Sequence, residues 1–454
     1  MGQARIHVGE ALELGIDDLT HEGHGVARHQ GQVIFVPAAL PGDRVRLRII
    51  ATRRRHLLGR LEAIITASPQ RRKPPCILAD HCGGCSLQAY RDGAQQAWKQ
   101  EHVSQCLLRL GGLVQELRPL LTAPKPLGYR NRAVIPLERL EDGRLRAGYY
   151  RRGSHQIVNM NHCPVLDPRL DALIPLLKAD LDATGWPVDR HGLGLRHLAM
   201  RISERSGEML ITLIASTDDL PGLESLAQAW MERWPALVGV CLNRQPHPGN
   251  VLFGAETQMI AGRGWLLEQF AELELRIAAD TFFQVNTSQA ERLVPLLSEA
   301  LGPASGVLLD AYCGIGTFGL PMAAQGWNVL GVEQHPGAIS LANDNALHNG
   351  LEQWARFEVG AVAERLEDLL GGTPPVRALL VDPPRKGLEP AALEAIRSNP
   401  PARMAYLSCD PASLARDLGR LCGPDGAYRI DWIQPIDFFP NTSHVECLTA
   451  LTRR

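Results

Sequence analysis

Apolar and polar positions alternate in short runs through the first 65 residues, with glycines between the runs. The runs at 32–37, 43–51 and 58–65 have the period of two expected of strands, and Gly23, Gly25, Gly31 and Gly42 fall where turns are expected. This predicts a small β-barrel over residues 5–65, able either to bind a single nucleic-acid strand on an exposed face or to act as a packing module. A helix is expected around 88–110. Strand-like runs then recur at 131–136, 194–202, 209–215 and 239–243, with an amphipathic stretch at 223–234. They predict an α+β middle domain without a catalytic constellation of its own.

From about residue 276 the pattern changes to strands that alternate with helices and end in polar residues. A strand at 307–309 runs into Asp310 and then Cys313-Gly314-Ile315-Gly316-Thr317, and one at 328–332 ends at Glu333. A third at 378–381 stops at Asp382-Pro383-Pro384, and a fourth at 404–407 stops before Ser408-Cys409. This is the pattern of an open α/β sheet whose site lies at the carboxyl ends of its strands. The chain therefore divides into 1–66, 67–275 and 276–454, a multidomain α/β protein, in keeping with a length of 454 residues.

There is no basic segment leading into an apolar stretch at the N-terminus, and no window is apolar enough to cross a bilayer. A cytoplasmic protein without membrane contact is expected. The net charge of −2 gives no whole-molecule attraction to a polyanion. Positive charge is nevertheless concentrated at Arg44, Arg46, Arg48, Arg53, Arg54, Arg55, Arg60, Arg71, Arg72 and Lys73. Alternation at 44, 46 and 48 would line one face of a strand with guanidinium groups, suited to a phosphate backbone.

Gly314 and Gly316 permit a tight turn and close approach to a cofactor, while Glu333 is suited to ribose hydroxyls. The turn alone fits a dinucleotide as well as a methyl donor. The three-glycine dinucleotide fingerprint is absent, and Asp382-Pro383-Pro384-Arg385 strengthens the methyl-donor reading. Gln284, in Phe282-Phe283-Gln284-Val285-Asn286, is a candidate for the cofactor wall; Asn343, Asn345 and Asn349 fit either helix caps or a nucleoside pocket.

Cys409 and Glu446, both expected after strands of the same domain, supply a thiol and a carboxylate. That pair suits covalent chemistry on a pyrimidine. A thiolate adding at C6 makes C5 electron-rich, and a base must then remove the C5 proton before the thiolate can leave. Separately, Cys76-x5-Cys82-x2-Cys85 with Cys163 has the make-up of a four-sulfur site for zinc or an iron–sulfur cluster.

Taken together, the run Cys82-Gly83-Gly84-Cys85-Ser86-Leu87-Gln88, Phe283 to Asn286, Asp310 to Gly316, Val381 to Gly387, Ser408 to Asp417 and His444-Val445-Glu446 resemble the iron–sulfur-containing RNA uracil-5-methyltransferases. The branch acting on bacterial 23S rRNA is the nearer. The resemblance implies a TRAM-like (OB-like) barrel, a middle domain carrying an iron–sulfur segment and a Rossmann-like class I methyltransferase domain. It further implies that Cys76, Cys82, Cys85 and Cys163 bind a [4Fe-4S] cluster and that Gln284, Tyr312, Glu333 and Asp382 help to bind S-adenosylmethionine. Cys409 would be the nucleophile and Glu446 the base. The implied reaction is methylation of C5 of a 23S rRNA uridine. The same chemistry on tRNA is the alternative, and a noncatalytic RNA-binding ribosome assembly factor is the alternative of another class. RNA is the expected partner and no obligate protein partner is evident. The sequence departs from the family pattern at Ala361, where an acidic residue often follows the glycine; Glu358 and Glu364 are the candidates to replace it.

Overall fold

A computed structural model of the chain describes residues 6–188 and 192–454. Its contacts separate two compact units. One gathers residues 6–102, 150–156 and 439–444; the other comprises 103–149, 157–438 and 445–454. Among the described residues, no helix is long and apolar enough to cross a membrane.

The first unit is built on a curled six-stranded sheet. In spatial order its strands are Ala11–Gly15, Arg44–Thr52, Leu57–Thr66, Gln32–Val36, Gly25–His29 and Asp18–Leu19. Ile34, Val36, Val45, Leu47 and Ile49 fill its interior, as the alternating pattern requires. Gly23, Gly31 and Gly42 turn with positive φ. Gly25 instead lies inside a strand, where an added Cβ would sit 2.9 Å from the Ala39 carbonyl oxygen.

The expected arginine stripe does share a strand face, yet much of its charge is neutralised. Arg46 donates to Glu13 and Arg48 to Glu62, while Arg71 and Arg72 pair with Asp43 and Asp92. Arg53, Arg54 and Arg55 remain exposed in the turn between Arg44–Thr52 and Leu57–Thr66.

In the second unit, a six-stranded mixed sheet orders Glu256–Gly262, Leu237–Arg244, Met209–Ala215, Leu195–Ile202, Arg132–Arg139 and Leu145–Ala147. Met209–Ala215 is buried at every position, which explains its unbroken apolar run. An antiparallel hairpin, Trp265–Phe270 with Leu273–Ala278, follows.

The third element of this unit is a seven-stranded sheet, whose strands are numbered here in chain order. They are β1 (Val307–Ala311), β2 (Asn328–Glu333), β3 (Ala355–Val359), β4 (Val376–Val381), β5 (Arg403–Ser408), β6 (Tyr428–Ile436) and β7 (Glu446–Arg453). Their spatial order is β3-β2-β1-β4-β5-β7-β6. β1 to β5 are parallel; β7 runs antiparallel to both β5 and β6. This mixed sheet is consistent with a class I methyltransferase fold. Helices α1 (Gly319–Ala324), α2 (Pro336–His348), α3 (Val362–Leu370), α4 (Pro390–Ser398) and α5 (Pro411–Cys422) connect the strands. The end of the helix Asp92–Gly111 packs close to α5, where a Cβ on Gly111 would lie 2.6 Å from the Ala415 carbonyl oxygen.

Because β7 is reversed, its first residue lies at the same sheet edge as the last residues of β1 to β5. Reversal thus brings Glu446 to the edge that bears Cys409, although Glu446 begins a strand instead of following one.

Gly331, in β2, tests how tightly this edge is built. A Cβ there would overlap the Phe357 ring and lie 2.9 Å from Cys313 Sγ. Gly331→Ala should destabilise the protein by about 1–3 kcal/mol, as overpacking does. Urea unfolding would measure it, and an unchanged midpoint would show that Phe357 yields freely.

Candidate functional site

The turn after β1 begins the site. Tyr312 adopts a left-handed φ of 69° and donates its backbone N–H to the Val332 carbonyl at 2.9 Å. Gly314 and Gly316 follow with φ of 54° and 81°, and Gly316 N–H closes the turn on the Cys313 carbonyl at 2.9 Å. Side chains longer than hydrogen would be strained in this conformation. Glu333 ends β2, where its carboxylate accepts from His335 N–H at 3.0 Å; the His335 ring in turn caps α2.

Carboxyl groups crowd this edge. Burial pushes Asp310 up to about 8, with Asp382 and Glu333 adding repulsion against a smaller lowering from the Gly319 N–H. Burial alone pushes Asp382 up to about 7. Glu446 is raised well above the carboxylate range by burial and by Asp382, partly offset by Arg385. Among the described residues, neither Asp310 Oδ2 nor the Tyr312 hydroxyl has a hydrogen-bond partner. A ligand bearing an ammonium and a sulfonium, with ribose hydroxyls, supplies the charge and the donors this set lacks. The residues present thus fit S-adenosylmethionine.

Cys409 follows β5 directly. The Asp410 side chain caps α5 by accepting from Ser413 N–H at 2.7 Å, with Pro411 in the first turn. Ser408 pairs with Cys447 in the last rung between β5 and β7; Cys409 follows Ser408 and Glu446 precedes Cys447, and the two are close enough for the Glu446 charge to act on the thiol. The thiol is pushed up to about 12, first by burial and then by Glu446 and Asp382, with Arg385 opposing and Asp410 adding to the rise.

Gln284 is buried, and its backbone carbonyl accepts from Asn131 Nδ2 at 2.9 Å. Its side-chain amide has no hydrogen-bond partner among the described residues. Asn286 acts locally, accepting from Gln289 N–H and donating to the Phe438 carbonyl. Phe283 is core, edge-on to Phe270, whereas Phe282 is 59% exposed. The three asparagines are stitches between segments. Asn343 bonds Ile339 and Phe357, Asn345 bonds Arg276 and Ile315, and Asn349 bonds Glu274, all through backbone groups.

Glu358, a candidate to replace the acidic group absent at Ala361, is engaged by Arg356 at 2.8 Å and Arg365 at 3.0 Å. Glu364 is exposed.

Two arginines beside the Gln284 segment escaped sequence reasoning. Arg132 and Arg201 face each other across paired strands. Arg201 is buried and donates to the Thr281 carbonyl at 2.6 Å, while its Nε and Nη1 have no partner among the described residues. Burial, with repulsion from Arg130, pushes Arg132 down to about 10 against the pull of Asp280. The available signal was weak: each of the two strands carries a second arginine and a further polar residue, Arg139 and Glu138 in one and Arg196 and His197 in the other, so that Arg132 and Arg201 do not stand out.

The cysteine-bearing segment of the first unit is held by other groups. Cys76 Sγ accepts from Leu78 N–H and Cys82 Sγ from Gly84 N–H, both at 3.4 Å. Arg152 donates to the carbonyls of Ala79 and Cys85, and Gly83 N–H to that of Tyr150. Cys163 belongs to the second unit, where it is buried and its N–H donates to Asp171 at 2.6 Å. Among the described residues, no group of three or more His, Cys, Asp or Glu side chains is placed to hold a metal ion. The expected [4Fe-4S] ligand set, Cys76, Cys82, Cys85 and Cys163, is thus not found as such a group among the described residues.

Comparison with known proteins bears on this site. The family model described as tRNA (Uracil-5-)-methyltransferase matches residues 257–454, and the TRAM domain model matches residues 5–61. A Parasynechococcus marenigrum protein described as an uncharacterized RNA methyltransferase is 50% identical over 98% of this chain and 96% of its own. A Nostoc protein described in the same way is 45% identical over 99% and 98%. Among solved structures, the Pyrococcus abyssi tRNA (uracil-54, C5)-methyltransferase in complex with S-adenosyl-L-homocysteine covers 97% of this chain and 100% of its own, with a TM-score of 0.78 and 26% identity. These findings correct the expected placement in an iron–sulfur-containing 23S rRNA branch. A solved structure similar over 97% of the chain is a tRNA enzyme, and the metal-binding group is not found among the described residues.

A thiol near 12 instead of the ordinary 9.0 holds about a thousandfold less thiolate at neutral pH. In the protein without cofactor, alkylation of Cys409 by iodoacetamide should be slow at pH 7.5 and rise steadily to pH 10. Added S-adenosylmethionine, which brings positive charge, should accelerate it more than uncharged-sulfur S-adenosylhomocysteine does. Peptide mapping by mass spectrometry would read the rate; a plateau below pH 9 without cofactor would contradict the burial argument.

Proposed function

The chain belongs to the TRAM-containing RNA uracil-5-methyltransferase family, and from that premise we propose that it methylates C5 of a uridine in transfer RNA. Membership supports S-adenosylmethionine-dependent methylation of RNA; the full-length likeness to a tRNA enzyme favours tRNA as the substrate. The three-part division at 66 and 275 and a cytoplasmic location belong to the same proposal. What supports the chemistry is that Cys409 and Glu446 each lie one residue beyond the Ser408–Cys447 rung at the carboxylate-rich edge, where the Glu446 charge acts on the thiol.

In this reading Gln284, Tyr312, Glu333 and Asp382 hold the cofactor: Glu333 accepts from ribose hydroxyls, while Asp382 and the unpartnered amide and hydroxyl of Gln284 and Tyr312 line the remaining wall. When bound, S-adenosylmethionine supplies an electrophilic methyl group. Cys409 Sγ bonds to C6 of the uracil, and the C5–C6 electron pair moves toward C4–O4. C5 would then take that methyl group, its bond to sulfur breaking with the electron pair going to sulfur, so that S-adenosylhomocysteine would leave. Glu446 takes the proton from C5, the C5–C6 double bond returns, and the Sγ–C6 bond breaks to free Cys409. Arg385 favours the ionised form of both Cys409 and Glu446.

Cys409→Ala should abolish both methylation and the covalent adduct with 5-fluorouridine-substituted tRNA. Glu446→Gln should still form an adduct with unmodified tRNA but lower turnover by about a thousandfold or more. Labelled S-adenosylmethionine, unmodified tRNA and ribosomal RNA, with nucleotide-resolution mapping, check this. Label in ribosomal RNA alone would refute the substrate. RNA binding without adduct or label in either RNA would leave the noncatalytic alternative standing.

The free cations of the first unit predict where RNA is gripped. Replacing Arg53, Arg54 and Arg55 with Ser should reduce the slope of log K against log salt by about 2–3, given roughly 0.7–0.9 per phosphate contact. The pair Arg46→Ser and Arg48→Ser, already neutralised by Glu13 and Glu62, should change it by less than about 1. Filter binding across salt concentrations measures both; equal losses would restore the strand face as the RNA track.

A further inference from the structure

Asp417 is a carboxylate for which the chemistry above has no use, although it is only 1% exposed. Its Oδ2 accepts from the Tyr406 hydroxyl at 2.8 Å and from Leu388 N–H at 2.9 Å, and its Oδ1 accepts from Arg416 Nε at 2.9 Å. Arg416 also donates through Nη2 to the Lys386 carbonyl at 2.7 Å. The partners come from the elements that carry the site: β5 three residues before Cys409, α5 just after it, and the loop 382–388 that bears Asp382 and Arg385. Gly387, with φ of 76°, closes that loop onto α5 so tightly that a Cβ would lie 2.5 Å from Asp417 Oδ2.

We propose that Asp417 is a positioning residue that latches the loop 382–388 onto the helix of the nucleophile, and so fixes Arg385 relative to Cys409 and Glu446. A carboxylate suits the task because one buried oxygen can accept from the loop backbone and from the β5 hydroxyl at once, while its charge retains Arg416. The charged groups that act on Cys409 are Glu446, Asp382, Arg385 and Asp410. Of these, Arg385 is the one cation, and it sits on the latched loop. Releasing the latch frees the Arg385 end of the loop, and with it the group that opposes three carboxylates, while Asp382 keeps its own tie to β1, its N–H donating to the Ala311 carbonyl at 3.4 Å. The inference rests on the reading of Cys409 as nucleophile for its relevance to turnover, but the latch itself is tested on the thiol.

Asp417→Asn keeps the shape and removes the charge; Tyr406→Phe removes one donor and leaves the loop bond. With folding verified by thermal melting and cofactor binding by calorimetry, both variants should alkylate Cys409 about threefold or more slowly at pH 8, with the pH profile displaced upward. In tRNA methylation, kcat should fall by about ten- to a hundredfold while KM for S-adenosylmethionine stays within about twofold. If Asp417→Asn does not fold, Tyr406→Phe decides by the same readout. Alkylation profiles identical to the parent, with any loss of activity matching the loss of folded protein, would make Asp417 a core residue only and overturn the latch. Methylation surviving in Cys409→Ala would instead overturn the covalent reading and leave the thiol test of the latch intact.

Discussion

The burial of carboxyl groups at one edge of the seven-stranded sheet, with repulsion added where two of them are close, is the constraint from which the site's behaviour follows. Asp310, Asp382 and Glu446 reach that edge from β1, the exit of β4 and the start of β7; burial raises all three, and the charge of Asp382 raises Asp310 and Glu446 further. These directions bias Glu446 and Cys409 toward their neutral forms, with Arg385 the cation that opposes the rise in both. In the reaction proposed above, the positive charge of the methyl donor would act in the same sense as Arg385, so that donor binding and ionisation of the thiol and carboxyl would be linked.

The sheet makes this possible through one topological feature. Five parallel strands deliver their carboxyl ends to one edge, which is where the turn after β1, Glu333, Asp382 and Cys409 are found. A sixth parallel strand would have delivered the wrong end of the Glu446 segment. By running β7 antiparallel between β5 and β6, the fold sets the beginning of that segment next to the end of β5, so that Cys409 and Glu446 both lie just beyond the Ser408–Cys447 rung.

Strands with strong apolar runs were legible in the sequence, as were the residues at their ends. Val307–Ala311, Asn328–Glu333, Val376–Val381 and Arg403–Ser408 all lie where the pattern puts them, within a residue or two. Their signal is strong because a parallel strand covered on both faces must be apolar throughout. Pairing direction left no such mark, so Glu446 was expected after a strand and in fact starts one. Neutralisation was equally hidden. The alternation of Arg44, Arg46 and Arg48 correctly put them on one face, but Glu13 lies about thirty residues away and only the register of Ala11–Gly15 against Arg44–Thr52 brings it opposite Arg46. Cysteine spacing, likewise, describes which thiols are near in sequence; it carries no information on what Arg152 and Gln88 do with the backbone between them.

Chain connectivity adds a last constraint on the base. The segment between β6 and β7, residues 439–444, is organised entirely within the first unit. Asn441 accepts from Arg72 through its side chain and from Leu87 N–H through its carbonyl, and donates its N–H to Gln95; Lys99 donates to the Phe439 carbonyl; Ser443 bonds Ser86 and His21. Asn441 holds φ at 68°, a left-handed conformation that asparagine tolerates better than most side chains. Glu446 begins β7 two residues after this segment ends. The start of β7 is set by its ladders with β5 on one side and β6 on the other, which hold the Glu446 backbone whatever the ionisation of its side chain.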